Sequence, residues 1–202
     1  KVKQLLTLDG STGNVYNGQP KNKPKVIAAK PTKPASKLGE DQLKTATKIY
    51  VNLAEPDLAG TIAAKDSDGV GLLRAEFMIA QIGTHPRKLI ADKKGHIFTQ
   101  KLVEGLLKFT QSFGDRPVVY RTTDFKTNEY KNLVGGKAYE PEEANPMIGF
   151  RGTHRYLHDQ SVFELEIEAI KIVRNKYGYK NLSLMLPFVR TVDQLIKAKS
   201  LI

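Results

Sequence analysis

Short apolar runs alternate with stretches of helical spacing along most of this chain, and few folds accept that pattern. Runs over residues 49–53, 69–73, 118–121 and 182–186 read as strands. Phe98, Leu102, Leu106, Phe109 and Phe113 recur at the spacing of one helix face, and Gly114 ends that helix. A second helix opens on Ser161 with Glu164 three positions on, a capping box. Its buried face is Phe163, Ile167, Ile170 and Tyr177, and Gly178 stops it. Glu164, Glu166 and Glu168 fall to a solvated face, with Glu168 facing Lys171. A short helix over 58–64 and a last one opened by Thr191 and Gln194 complete the set. The first strand, 49–53, reads as a buried one ended by Pro56. Apolar strands separated by helices predict a parallel sheet with right-handed crossovers, so the fold class is α/β. Four β/α units fit half of an eightfold barrel or a small open sheet, and composition does not choose between them.

Residues 2–18 predict a β-hairpin, with Asp9-Gly10 and Gly13 supplying the turn. A lone hairpin is marginal in water, so it reads as the tail of a domain that begins upstream. The first residue is Lys, which fits a chain cut from something longer. Residues 19–38 follow with six lysines, four prolines and no acid. Such a tract buries too little apolar surface to order itself and is expected to be an extended connector. Net charge is +11, but residues 1–47 alone carry nine lysines against Asp9, Glu40 and Asp41. The basic excess sits in the Pro/Lys tract rather than on a folded face with interleaved aromatics, which argues against nucleic acid as a partner. Hydrophobic residues make up 40% of the chain and support a core, while no apolar run nears the ~20 residues of a membrane span. With no secretory pattern at the start and no cysteine, the expected setting is a reducing, cytoplasmic one.

Two of the apolar runs end on an arginine. Val70, Leu72 and Leu73 lead to Arg74, and Val118-Val119-Tyr120 leads to Arg121. Ligands of β/α proteins sit beyond the carboxyl ends of parallel strands, so the two arginines are expected to face one crevice. An arginine fork suits phosphate or carboxylate. About forty residues with little periodic pattern separate Arg121 from Ser161, and so long a connection is a sign of function. It carries Thr122, Thr123, Asp124, Lys126, Asn128 and Glu129, then Gly135-Gly136-Lys137, then Asn145-Pro146-Met147-Ile148-Gly149-Phe150-Arg151-Gly152. Arg74, Arg121 and Arg151 together read as an anion site. Gly69-Val70-Gly71 lacks the third glycine and the acid of a dinucleotide fingerprint, and Gly135-Gly136-Lys137 lacks the spacing of a phosphate loop. His154 and His158 are four apart but have no third ligand, so no metal site is assigned to them.

Asp68-Gly69-Val70-Gly71-Leu72-Leu73-Arg74-Ala75-Glu76-Phe77-Met78 resembles the first barrel motif of the phosphoenolpyruvate-utilising enzymes. Arg121-Thr122-Thr123-Asp124-Phe125-Lys126-Thr127-Asn128-Glu129-Tyr130 is similar to a further motif of that family. So are the stretch from Tyr139 to Gly152 and Leu186-Pro187-Phe188-Val189-Arg190-Thr191. The Asp-Phe-Lys-x-Asn-Glu-Tyr run favours the branch that phosphorylates pyruvate with ATP and water over the phosphate-dependent dikinases and the sugar phosphotransferase component.

The resemblance covers essentially the whole chain. It implies a (β/α)8 TIM-type barrel for phosphoenolpyruvate or pyruvate, with residues 45–202 as its N-terminal half and first four β/α units. Residues 1–18 would be the C-terminal hairpin of a swivelling phosphohistidine domain and 19–44 the linker. In this family ATP, bound by an N-terminal domain, phosphorylates a histidine on the swivelling domain, which carries the phosphoryl group to pyruvate in the barrel. Arg74, Arg121 and Arg151 match substrate-binding arginines of the family. Its phosphohistidine motif, its magnesium-binding glutamate and Asn-Asp pair, and its proton-donating cysteine have no counterpart here. The resemblance therefore assigns no catalytic residue and no metal ligand to these residues, and the Mg2+ ligands are expected beyond Ile202. On this reading the chain is an inactive piece of a transferase whose partners are pyruvate and the parent's other domains, with no nucleic acid and no membrane. Whether the parent is a homo-oligomer is left open. A non-enzymatic alternative, a basic anion- or nucleic-acid-binding module, requires salt-sensitive binding to a nucleic acid.

Overall fold

A computed structural model of the chain describes residues 5–9, 13–18 and 46–202. The expected connector, 19–38 with its continuation to 44, lies outside them. The chain divides into two units after Ser36. In the first, β1 (Leu6–Asp9) and β2 (Asn14–Asn17) pair antiparallel with Leu8 opposite Val15. The Gly13 N–H donates to Asp9 O at 2.8 Å, as the sequence of this turn predicts. Leu6, Leu8 and Val15 are exposed, so the pair has no core of its own.

The second unit is built on a parallel sheet. Its strands β3 (Tyr50–Leu53), β4 (Gly69–Arg74), β5 (Val118–Arg121) and β6 (Leu182–Met185) lie side by side in sequence order. Helix α1 (Ala59–Ala63) joins β3 to β4. Helices α2 (Glu76–Ile82), α3 (Pro86–Ala91) and α4 (Gly95–Phe113) join β4 to β5. Helices α5 (Thr127–Tyr130), α6 (Thr153–His158) and α7 (Ser161–Lys171) join β5 to β6, and α8 (Val192–Ser200) follows. Val70, Leu73, Val118, Tyr120 and Leu182 are fully buried on one side of the sheet. They share a core with Phe98, Leu102, Leu106, Phe109 and Phe113 of α4 and with Phe163, Ile167 and Ile170 of α7. The alternate strand residues Leu72 and Val119 are half-buried, and Ser183 and Met185 are exposed. Helices thus cover the sheet tightly on one face only.

The architecture is α/β as expected, but the sheet is open. Among the described strands β3 and β6 are its edges, and no closed barrel forms. That explains the first correction: 49–53 is apolar yet not buried, with Ile49 62% and Tyr50 45% exposed, because β3 pairs on one side alone. Ser161 does not cap α7. The Asp159 carboxylate accepts from both the Ser161 N–H and its hydroxyl, a stronger acceptor placed two residues earlier. Tyr177 is exposed because a π turn over Ile172–Lys176 re-phases the helix end and buries Val173 in its place. Glu166 is fully buried rather than solvated. Helices α2 and α3 had no sequence prediction.

Thr191 caps α8 as predicted, its hydroxyl accepting from the Gln194 N–H at 3.2 Å. Thr191→Ala is expected to weaken α8 by about 1 kcal/mol, seen as faster amide exchange over its first turn. Unchanged exchange at Gln194 would show the cap to be idle.

Candidate functional site

Arg74 ends β4 and Arg121 ends β5, and the parallel register sets them directly side by side. Leu73 and Tyr120, one residue earlier on each strand, are buried in the core, so alternation sends both arginines to the other side. There they border a cavity of about 410 Å3 beyond the strand ends, and Arg151 borders it too. Lys126 is the fourth cation of its lining, the carboxylates Glu76, Asp124 and Glu129 border it as well, and Phe77, Ala80 and Phe125 make an apolar wall. The three arginines singled out from sequence therefore meet in one place.

Their electrostatic states differ. Arg121 donates to Glu76 Oε1 at 2.7 Å, and the same oxygen accepts from the Asp124 N–H at 3.0 Å. Arg121 Nε and Glu76 Oε2 are buried without a hydrogen-bond partner. Arg151 spends its fork on Asp124, with Nε and Nη2 at 2.8 and 2.7 Å from the two carboxylate oxygens. Those hydrogen bonds hold the guanidinium above its ordinary pKa. Nη1 donates to Met147 O at 3.0 Å, and the plane lies over the Phe188 ring at 4.2 Å. Arg74 is exposed and, among the described residues, makes no hydrogen bond or ion pair. Arg74 is thus the guanidinium most open to an incoming anion, whereas Arg121 and Arg151 reach it as halves of ion pairs.

The segment carrying Arg151 is fastened at several points. Glu143 accepts from the Phe150 N–H and the Thr127 hydroxyl, each at 2.7 Å. Arg190 donates to Ile148 O at 3.0 Å and Gly149 O at 2.5 Å. Gly152 has φ 57°, and a Cβ there would stand 2.7 Å from Pro187 O and 2.8 Å from Phe188 Cβ. Glycine is therefore required beside Arg151 both for conformation and for room. His154 and His158 do not face each other as ligands. Each meets the Phe150 ring edge-on, at 5.6 and 5.3 Å.

No divalent ion fits these groups. Among the described residues no cluster of three His, Asp or Glu could hold a metal. Of the cavity carboxylates, Glu76 is engaged by Arg121, Asp124 by Arg151 and Glu129 by Lys126. Sequence reading missed Glu76 as the partner of Arg121. Its signal was weak: an acid two residues after Arg74, in the first turn of α2.

A cationic cavity with an apolar wall beyond parallel strand ends defines an anion-binding β/α domain. The profile of the "PEP-utilising enzyme, PEP-binding domain" family matches residues 32–202, and the chain belongs to that family. It is 46% identical over 202 residues to a probable phosphoenolpyruvate synthase of Staphylothermus marinus, which covers 96% of this chain and 24% of that protein. It is 45% identical over 206 residues to the phosphoenolpyruvate synthase of Aeropyrum pernix, 96% of this chain and 25% of that one. With the phosphoenolpyruvate synthase of Pyrococcus furiosus the identity is 42% over 204 residues, 98% of this chain and 24% of that protein. The chain spans about a quarter of the length of these relatives. Among the described residues no helix is long and apolar enough to cross a membrane.

Proposed function

We propose that this chain is the substrate-binding part of a phosphoenolpyruvate synthase, with phosphoenolpyruvate and pyruvate as its ligands. The observation that carries the reading is the register of Arg74 beside Arg121 at the cavity, one guanidinium unengaged and the other fixed by Glu76. Phosphoenolpyruvate is a small dianion or trianion on three carbons. Arg74 and Arg121 would take the phosphoryl oxygens, and the Arg151–Asp124 pair would border the same ligand. Phe77, Ala80 and Phe125 would cover its carbon skeleton. Cations fixed in a half-buried cleft stabilise a phosphoryl group in transit better than mobile ones, because no reorganisation is needed at the moment of transfer.

On this reading residues 45–202 are the N-terminal half of a (β/α)8 barrel, residues 1–18 the end of a phosphohistidine domain and 19–44 the link between them. The open edge of β6 and the half-buried second face of the sheet suit a barrel wall that awaits more strands. The proposal carries with it ATP and Mg2+ bound elsewhere in the parent, and a cytoplasmic setting. Calorimetric titration of phosphoenolpyruvate into the full-length protein tests it. Arg74→Ala is expected to weaken binding about fivefold, since one solvent-exposed charge contact contributes about 1 kcal/mol. Unchanged affinity in that variant would overturn the assignment of this cavity.

A further inference from the structure

Helix α7 carries a charged group on its core side. Glu166 stands three residues after Phe163 and one before Ile167, on the face that those residues bury, and none of its surface is exposed. A carboxylate out of water is costly unless donors meet it. Here three do. Oε2 accepts from the Tyr120 hydroxyl at 2.8 Å and from the Thr123 N–H at 3.0 Å, and Oε1 accepts from the Thr123 hydroxyl.

These donors bracket the arginine of the cavity. Tyr120 precedes Arg121 in β5, and Thr123 precedes Asp124, which holds Arg151. The neighbouring links point the same way. The Tyr156 hydroxyl, on α6, meets Thr122 Oγ1 at 3.0 Å and the Thr123 carbonyl, and the Asp124 N–H is held by Glu76 at 3.0 Å. Glu166 itself does not border the cavity.

We propose that Glu166 is a positioning residue: by gripping Tyr120 and Thr123 from behind, it fixes residues 121–124 and so sets where Arg121 and Asp124 stand towards the bound anion. The ligand side of this inference rests on the phosphoenolpyruvate reading above. An apolar side chain would pack in the same place but would leave two hydroxyls and an N–H without acceptors.

The grip is sensitive to the protonation of this carboxyl. Burial pushes the Glu166 carboxyl up to about 7. The titratable groups that act on it or feel it are Tyr120, Tyr130, Tyr156 and Glu76. Burial pushes all three tyrosine hydroxyls upward, so they remain protonated donors. Ionised, Glu166 accepts all three hydrogens. Protonated, it carries one of its own, and one donor loses its partner. Because the folded value lies above the unfolded one, desolvation of the ion outweighs these bonds, and local stability around Thr123 falls as the pH rises from about 4.5 through about 7.

The experiment uses the full-length protein that carries this chain. In Glu166→Gln one acceptor oxygen becomes a donor. Amide exchange at Thr123 and Asp124 at about pH 8 is expected to accelerate roughly tenfold, and the Kd for phosphoenolpyruvate to rise about fivefold. The wild-type change in both through about pH 7 is expected to be absent from the variant. Should Glu166→Gln not fold, Thr123→Val removes one hydroxyl donor at constant size; a rise in Kd of about threefold is then expected. Wild-type exchange at Asp124 in either folded variant, with an unaltered pH profile, overturns the proposal. Exchange needs no ligand, so wild-type protein that fails to bind phosphoenolpyruvate counts against the functional reading, while the Asp124 amide still decides this one.

Discussion

Arg121→Ala in the full-length protein is expected to lower phosphoenolpyruvate turnover by ten- to a hundredfold, the equivalent of a lost charge-assisted contact of roughly 1.5–3 kcal/mol. The side chain is 21% exposed, so water screens it less than Arg74. Its Nη2 is fixed by Glu76 at 2.7 Å, so the charge is held in place beside the cavity. The same change removes the partner of Glu76, a carboxylate 15% exposed that keeps only the Asp124 N–H. Stability should therefore fall as well, by about 1–3 kcal/mol. Glu76→Gln added to Arg121→Ala separates the two effects. It neutralises the stranded charge and should recover stability, while turnover stays low because the phosphate contact is still missing. Arg121→Lys keeps the charge and loses the fork, and should fall between. Turnover within twofold of wild type in Arg121→Ala would remove the central assumption about this cavity.

How far the sequence reaches can be judged element by element. The strand 118–121 and the helix ending at Gly114 coincide with β5 and α4, because both carry enough apolar residues to show a period. Helices α2 and α3 have seven and six residues, fewer than two turns, too short for a face to repeat. The spacing of Glu166 from Phe163 places it on the buried face, although its charge suits a solvated one. Spacing prevails where a folded neighbour, here Tyr120 and Thr123, supplies donors from 46 and 43 residues away. The strand-to-arginine junctions located Arg74 and Arg121, and the parallel pairing of β4 with β5 sets these two strand ends opposite each other. The pairing of Arg151 with Asp124 was not readable. Whether an arginine is free or spent depends on a contact across 27 residues of irregular chain, and no local pattern encodes it.

The largest stability loss is expected behind the site, at Glu140. Its side chain is fully buried and joins three elements. It accepts from Arg155 of α6 at 2.7 and 2.8 Å and from His85, which opens α3, at 2.9 Å. The Arg87 N–H donates to His85 Nδ1, so Nε2 carries the hydrogen given to Glu140. Arg155 lies over the rings of Tyr130 and Phe150, at 4.9 and 4.5 Å, and also donates to Phe150 O at 2.9 Å. Phe150 precedes Arg151, so this buried group anchors the segment that brings Arg151 to the cavity. Burial alone would raise the Glu140 carboxyl, yet the hydrogen bonds from His85 and Arg155 outweigh it and hold the pKa below the ordinary value. Glu140→Ala strands a buried guanidinium and should cost about 3–5 kcal/mol at neutral pH, against a total of roughly 5–15 kcal/mol for a domain. A depressed carboxyl stabilises the fold above the unfolded pKa, and this contribution disappears as the pH falls through the folded value. The gap between wild type and Glu140→Ala should accordingly be full at pH 7 and shrink below about pH 4.5, the unperturbed value. Urea denaturation at both pH values measures it. A loss under about 1 kcal/mol at pH 7 would mean that Arg155 finds water or another carboxylate when Glu140 is gone, and that the anchor is redundant.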